Sequence, residues 1–450
     1  MKLGILSLIV GTLLFITVGP EALWSGNQHT YTIHALAFAG HGNLDQDPFT
    51  EFTDPFPAYS LIVLTAVSLN AGWLLHVINL MLFWLYAWGL LRMAMFVSES
   101  KRLVFWTAGM IIAHYLLWHP AFDYIGLGFA RQMMMTASLT PASFGAFTLA
   151  GIVNALWRKS AKKTSIFLSI GAIMHPGYAV ATLILWGFWI LLKYPHRSWK
   201  EPAKTIAAPV VALLNIFWIS GLSQGTLTEK LQAASILVWR FPHHADPKVF
   251  MTDHPVVVLF FLTISMLIYY RFAGHNLLFS RFLLKVSLFA ISMIVLTLIF
   301  PQLGAFTPWR VMTVILPILL SLTLSKLHYI TPEVIRIGAI GLACVFLLLG
   351  ASRAFDPTTS LYQTSPYEEG DLYAVPSNLY DFRINTGYPT YVLWKTHPWA
   401  APEIIEWKRR LDINDRAFET GDFGPLLEEG VTKVMTGEQH GTISRSEKDQ

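Results

Sequence analysis

The chain has 450 residues, 54% of them hydrophobic and only 13% charged, with a mean hydropathy of +0.48. A soluble domain carries roughly twice that charge, so a soluble enzyme is excluded and the recurring apolar runs predict a polytopic helical membrane protein. The formal net charge of +4 comes from basic residues beside those runs. No Lys/Arg tract with interleaved aromatics lies elsewhere, which excludes nucleic acid as a partner.

The first apolar run, "MKLGILSLIVGTLLFITVG", has no small-x-small cleavage site before the polar stretch that follows, so an uncleaved first span is expected. Further windows at 71–95, 103–118, 140–157, 164–175, 177–193, 204–221, 255–271, 279–300, 309–326 and 333–351 bring the expected total to about 11 spans. The pair on either side of His175–Pro176 is short for a bilayer and reads as broken or tilted. With a cytoplasmic N-terminus, the turns "SESKR", "RKSAKK", "KYPHRSWKEPAK", "RFAGHNLLFSR" and "KLHYITPEVIR" all fall inside and all are basic. The opposite side receives 20–70, with five acids and no Lys or Arg, and 119–139, 222–254 and 301–308. This orientation requires 58–70, "AYSLIVLTAVSLN", to lie along or dip into the outer face. Cys344 sits in an apolar run and reads as a small buried hydrophobe.

Ordinary polarity returns at about Arg353. Residues 353–366 read as a linker and 367–437 as a small exocytoplasmic α/β appendage. Within it "DLYAVP", "PTYVLW" and "GVTKVMTG" read as strands and "PEIIEWKRRL" as a helix. Residues 438–450 read as a disordered tail. The segment 1–352 is the transmembrane domain, with 20–70 and 222–254 as its large outer loops.

The candidate chemistry lies on the expected outer face. In the first loop, Tyr31–Ala39 has helical apolar spacing and is expected as an amphipathic surface helix. Asp45 and Asp47 follow as a D-x-D. Such a pair can coordinate a divalent cation (Mg or Mn) that neutralises a phosphate, or one member can act as general base; acids there can also simply keep the loop solvated. In "WRFPHHADP", Arg240, His243 and His244 form a cationic group suited to a phosphate headgroup, or a polar loop at headgroup depth. Adjacent histidines diverge, which disfavours zinc. His175 of "MHPGY" faces a cavity or caps a helix end; the "LWHPAFDY" stretch invites the same question. Arg131 is one of the few outer cations, and Arg310 of "TPWR" binds an anionic phosphate or snorkels to lipid. Between Ser60 and Lys200 the only acids, Glu99 and Asp123, lie outside the spans, which speaks against ion-coupled transport and against a flippase path.

The first span, the long acidic outer loop with surface helices, the P-x-P-[aromatic]-S entry and a span ending at Arg92 together resemble the GT-C superfamily of polytopic glycosyltransferases. "RFPHH", "TPWR" and "DFRINTGYPTYVLWKTHPW…EIIEWKRR" are similar to an uncharacterised bacterial branch grouped with it. The resemblance implies an all-α, GT-C-like fold in the bacterial inner membrane, N-terminus cytoplasmic and tail exocytoplasmic. It implies a polyprenyl-phosphate-linked sugar as donor and transfer to a lipid, glycan or protein acceptor. Asp45 or Asp47 would then be the base, while Arg240, His243, His244 and Arg310 stabilise the leaving phosphate. Gln28, His29, Arg131 and His175 complete the expected substrate contacts. One departure matters: "GNQH" places Asn27 and Gln28 where the superfamily carries a carboxylate pair, and amides cannot serve as a base. The alternative is a non-catalytic membrane component of a glycan assembly system, working with envelope partner proteins.

Overall fold

The computed structural model describes residues 3–97, 103–118, 129–157, 160–193, 203–220, 224–253, 277–354, 362, 366–436 and 441–444. The chain divides into two compact units. One comprises Met1–Glu21, His76–Ile216 and Leu237–Phe355, the other Ala22–Leu75, Phe217–Ile236 and Asp356–Gln450.

The first unit is helical, and its helices are those of an all-α membrane protein. Each expected window except 255–271, which lies outside the described residues, holds a helix. Five helices are long and apolar enough to cross a membrane: Trp73–Met95, Pro176–Lys193, Leu278–Ile299, Pro301–Leu327 and Glu333–Arg353. Others are shorter; the 16 residues of Leu3–Val18 rise only about 24 Å at 1.5 Å per residue. Small residues let these helices approach closely. A Cβ added to Gly350 would lie 2.4 Å from the Ile16 carbonyl oxygen, and one on Gly171 would lie 2.2 Å from Thr148 Oγ1. Ala172, Ala179 and Ala212 form a small-residue core between three helices. Cys344 is exposed on Glu333–Arg353, correcting the expectation of a buried thiol. That helix turns nearly all its apolar surface outward, as a lipid-facing helix does.

The second unit joins two segments expected to be separate. The tail does not stand alone as an appendage; it forms one compact body with the first loop. Helix Ile33–Phe38 is not an amphipathic surface helix. Ile33, His34, Ala35, Leu36 and Ala37 are all buried, and Ile33, Leu36 and Ala37 share a core with Leu44, Phe49 and Ile384. The apolar spacing was therefore a packing signal for the tail. Helix Pro57–Ser68 has 12 residues, about 18 Å of rise, too short to cross and in keeping with a segment that lies along or dips into a surface.

Two glycines bring loop and tail together. Gly42 and Gly387 both take left-handed φ (57° and 71°), and a Cβ on Gly42 would lie 2.5 Å from the Gly387 carbonyl oxygen. That approach lets Asn43 N–H donate to Gly387 O at 2.7 Å and His41 Nε2–H donate to Ile384 O at 2.8 Å.

Of the expected strands, β1 is Tyr373–Ala374 and β2 is Lys433–Thr436, paired in parallel. A third, β3 (Gly441–Ser444), pairs antiparallel to β2 within the stretch expected to be disordered. "PTYVLW" is not a strand: it makes a single bridge, Tyr373 to Thr390. The expected helix is longer than its motif, Ala401–Thr420, and ends at Gly421 with φ 74°. It buries Ile404, Trp407, Leu411, Asn414 and Ala417 at helical spacing. Trp407 Nε1–H donates to Leu393 O at 3.1 Å and Asn414 Nδ2–H to Val375 O at 3.0 Å.

On the outer side of this helix Arg409 bridges Glu406 and Glu429, each at 2.7 Å. Hydrogen bonds from Arg409, aided by Arg410, hold the Glu406 carboxyl at about 2, and Arg409 likewise lowers Glu429. Carboxyls depressed in the folded state contribute stability above their ordinary value of 4.5 and lose it as pH falls through the folded value. Acid titration followed by tryptophan fluorescence is therefore expected to show a loss of stability between pH 4.5 and about 2. Glu406→Gln should flatten that slope, and only modestly, because these side chains are a third or more open to water.

Candidate functional site

In the membrane unit, the turn between Ala161–Met174 and Pro176–Lys193 is made by one extended residue, His175 (φ −154°, ψ 127°). Pro176 at the first helical position gives up an N–H that would have had no partner. His175 serves as the cap. Its carbonyl accepts from Tyr178 N and Ala179 N at 2.9 and 3.0 Å, and its ring Nδ1 accepts Gly177 N–H at 2.9 Å. With Nδ1 occupied as acceptor, the ring proton of the neutral imidazole sits on Nε2. Arg310 Nη1 lies 3.3 Å from that Nε2 and 3.4 Å from Nδ1, so the guanidinium sits against the imidazole ring. The guanidinium also lies over the Tyr178 ring at 5.6 Å. The close fit depends on Gly177, where an added Cβ would lie 2.3 Å from Arg310 Nη1, and on Gly145, where one would lie 2.4 Å from Tyr178 Oη.

Arg310 reaches this position through a strained approach. Thr307 takes φ 41°, ψ 55°, a costly conformation for a β-branched residue, and Arg310 N–H then closes on Thr307 O at 2.8 Å. Between them Trp309, fully buried, donates Nε1–H to His244 O at 3.0 Å. The His244 ring is held from the other side: its Nδ1 is 2.6 Å from the Ala130 carbonyl oxygen. A carbonyl only accepts, so Nδ1 carries the proton and Nε2 the lone pair.

Ala130 and Arg131 both have φ 52°, with Gln132 N–H closing on Phe129 O at 3.0 Å. This is a tight left-handed turn of the kind that favours glycine or asparagine. Building it from Ala and Arg costs roughly 1–2 kcal/mol per residue. Burial first, then the charges of His243, Arg310 and Arg131, push His244 down to about 3, so the ring is neutral at pH 7. The His243 ring lies tilted against it, ring centroids 4.1 Å apart. Arg131, His175, His243, His244 and Arg310 thus share one neighbourhood, whose positive charge comes from the arginines. Arg240 closes helix Leu227–Arg240, where its charge offsets the negative end of the helix dipole. His119 and Asp123 of the "LWHPAFDY" stretch lie outside the described residues.

The other expected residues lie in the second unit, and the D-x-D is not a joint site. Asp45 is exposed in the turn Leu44–Gln46, while Asp47 is fully buried. Asp47 Oδ1 accepts Phe49 N–H at 2.8 Å. Its Oδ2 accepts Thr390 N–H at 2.8 Å and lies 2.6 Å from Arg383 Nε. Arg383 in turn donates from Nη2 to Thr390 O at 3.0 Å and covers the Phe49 ring at 5.6 Å. Burial pushes the Asp47 carboxyl up against the pull of Arg383 and the two backbone N–H groups. Both oxygens of Asp47 are engaged in holding the fold, which corrects its assignment as base or metal ligand. Among the described residues no group of three His, Cys, Asp or Glu side chains could hold a metal ion.

Gln28 and His29 also serve the loop. Gln28 is buried, with Oε1 accepting Trp24 N–H at 2.7 Å, and His29 Nε2–H donates to Trp24 O at 2.7 Å. Burial, then Lys395, lowers the His29 value. Together they close the chain around Trp24, whose φ is 65°. Sequence reasoning missed Arg383, Tyr178 and Gly177, although each stands in a quoted motif, "DFRINTGY" or "MHPGY".

Residues 365–413 match a family described as a domain of unknown function (DUF6798). That stretch carries Arg383, Thr390 and Glu403, which bind the first loop. No curated protein and no solved structure matches the chain.

Two outcomes are expected. Asp47→Asn or Arg383→Met leaves a buried group unpaired and should cost about 3–5 kcal/mol in denaturant unfolding, whereas Asp45→Asn should stay within about 0.5 kcal/mol. Gly177→Ala should displace the Arg310 guanidinium and weaken binding of an anionic lipid analogue in isothermal titration, with little change in unfolding temperature.

Proposed function

We propose that this chain is a GT-C-type membrane protein of the bacterial inner membrane that binds a polyprenyl-phosphate-linked sugar at its outer face and transfers the sugar to an acceptor hydroxyl. The carrying observation is the Arg310 guanidinium, held against the His175 ring (Nη1 to Nε2 3.3 Å) and over the Tyr178 ring. A phosphate oxygen is the ligand that a guanidinium fixed in this way selects. Arg131, with His243, adds to the same positive neighbourhood. Sugar transfer from a phosphate asks little covalent chemistry of a protein. It needs the donor held, the leaving oxygens stabilised and the acceptor proton removed.

A second reading has its own observation. Asp47 is committed to the fold and Asn27–Gln28 hold no charge, which favours a non-catalytic component that presents a lipid-linked glycan to partner proteins. Transfer from a labelled polyprenyl-phosphate sugar by purified protein separates the two. Loss of a charge-assisted contact worth about 1.5–3 kcal/mol predicts donor binding weakened by roughly 10- to 100-fold in Arg310→Ala. Donor binding with no turnover assigns the second reading; wild-type binding by Arg310→Ala removes the cationic cluster from both.

A further inference from the structure

The left-handed turn at Ala130–Arg131 and the tryptophan after strained Thr307 act on the same residue. The turn's carbonyl takes His244 Nδ1–H at 2.6 Å, and Trp309 Nε1–H takes the His244 carbonyl at 3.0 Å. Ring and backbone of one histidine are therefore clamped by two segments distant in sequence, each held in a conformation its side chains disfavour. Strain of this kind persists only where surrounding structure imposes it, and it concentrates at working sites. The clamp has one chemical product. It fixes the tautomer, so the proton sits on Nδ1 and the lone pair on Nε2. Among the described residues Nε2 engages in no hydrogen bond, and the side chain is partly buried.

We infer that His244 is the proton acceptor for the acceptor hydroxyl, positioned by the Phe129–Gln132 turn, a role that rests on the transferase reading. In the step, the acceptor oxygen bonds to the anomeric carbon as the anomeric carbon–oxygen bond to phosphate breaks. The bonding pair leaves with the phosphate, and the hydroxyl proton passes to His244 Nε2 and on to the leaving phosphate or water. The charges facing the ring explain how it is controlled. His243, Arg310 and Arg131 oppose its protonation in the resting protein. A phosphate bound beside Arg310 cancels part of that charge and raises the basicity of the ring when the donor is in place. The imidazole thus becomes a base only with substrate present.

Spectra of 15N-histidine-labelled protein, with the His244 signals assigned by their loss in His244→Gln, test the clamp directly. The expected result is a neutral Nδ1–H ring that titrates well below the other histidines and moves upward when geranyl phosphate is added. Ala130→Gly, which keeps the left-handed turn, should keep that tautomer, and Ala130→Val should scramble it. An Nε2–H ring in the wild type, or a titration that geranyl phosphate does not move, overturns the inference without needing any variant to fold. In the transfer assay His244→Gln should bind donor within about twofold of wild type while the rate falls by roughly 10²- to 10⁴-fold; an unchanged rate overturns the role. Absence of transfer by the wild type, with the expected tautomer present, would instead sink the transferase reading and the base role with it, and leave the clamp standing.

Discussion

The second unit depends on the buried ion pair of Asp47 with Arg383. Taking both charges out of water is expensive, and in many proteins such a pair can be replaced by apolar residues at no loss. Here it cannot, because the pair also satisfies the backbone. Phe49 N–H, Thr390 N–H and Thr390 O all end on these two side chains. A pair of leucines would fill the space and orphan three peptide groups. The ion pair is therefore the way the loop supplies what a sheet neighbour would otherwise give the tail, and the aromatic packing of Phe49 on Arg383 follows from it.

The same interaction explains which parts of the sequence could be read. The apolar windows and the helix beginning "PEIIEWKRRL" were legible, because span length and helical spacing are local properties. "PTYVLW" reads as a strand on composition, yet Thr390 spends its N–H and C=O on Asp47 and Arg383, and only a bridge to Tyr373 remains. Asp47 looked like half of a D-x-D because its partner comes from the other end of the chain. The tight turn Leu44–Gln46 puts Leu44 and Asp47, three residues apart, in the core and leaves Asp45 and Gln46 in water. No spacing rule announces that.

The membrane unit shows the complementary case. Arg310, His175, His243 and His244 were legible as candidates in an oily chain, since basic and polar side chains are conspicuous where they are scarce. Their arrangement was not, because it is set by backbone conformations that the residue types disfavour. Alanine, arginine and threonine in left-handed turns are poor local choices. They persist through packing around Trp309, Phe250 and Phe129, whose rings lie 5.1 and 5.7 Å apart in sequence of contact. The conflict between local preference and global structure falls on the residues proposed to carry the chemistry, where strain of this kind concentrates.

The close seat of Gly42 on Gly387 has a consequence in time as well as in space. The contacts around it join residues 343 positions apart, His41 to Ile384 and Asp47 to Thr390. At about 5–20 residues per second, the ribosome needs roughly 20–70 s between making one half of this seam and the other. During that interval the buried face of Ile33–Phe38 and the carboxylate of Asp47 have no tail to receive them. The earliest-made loop must wait for the tail before it can finish folding, and any nascent chain that stops short of Arg383 carries an open seam.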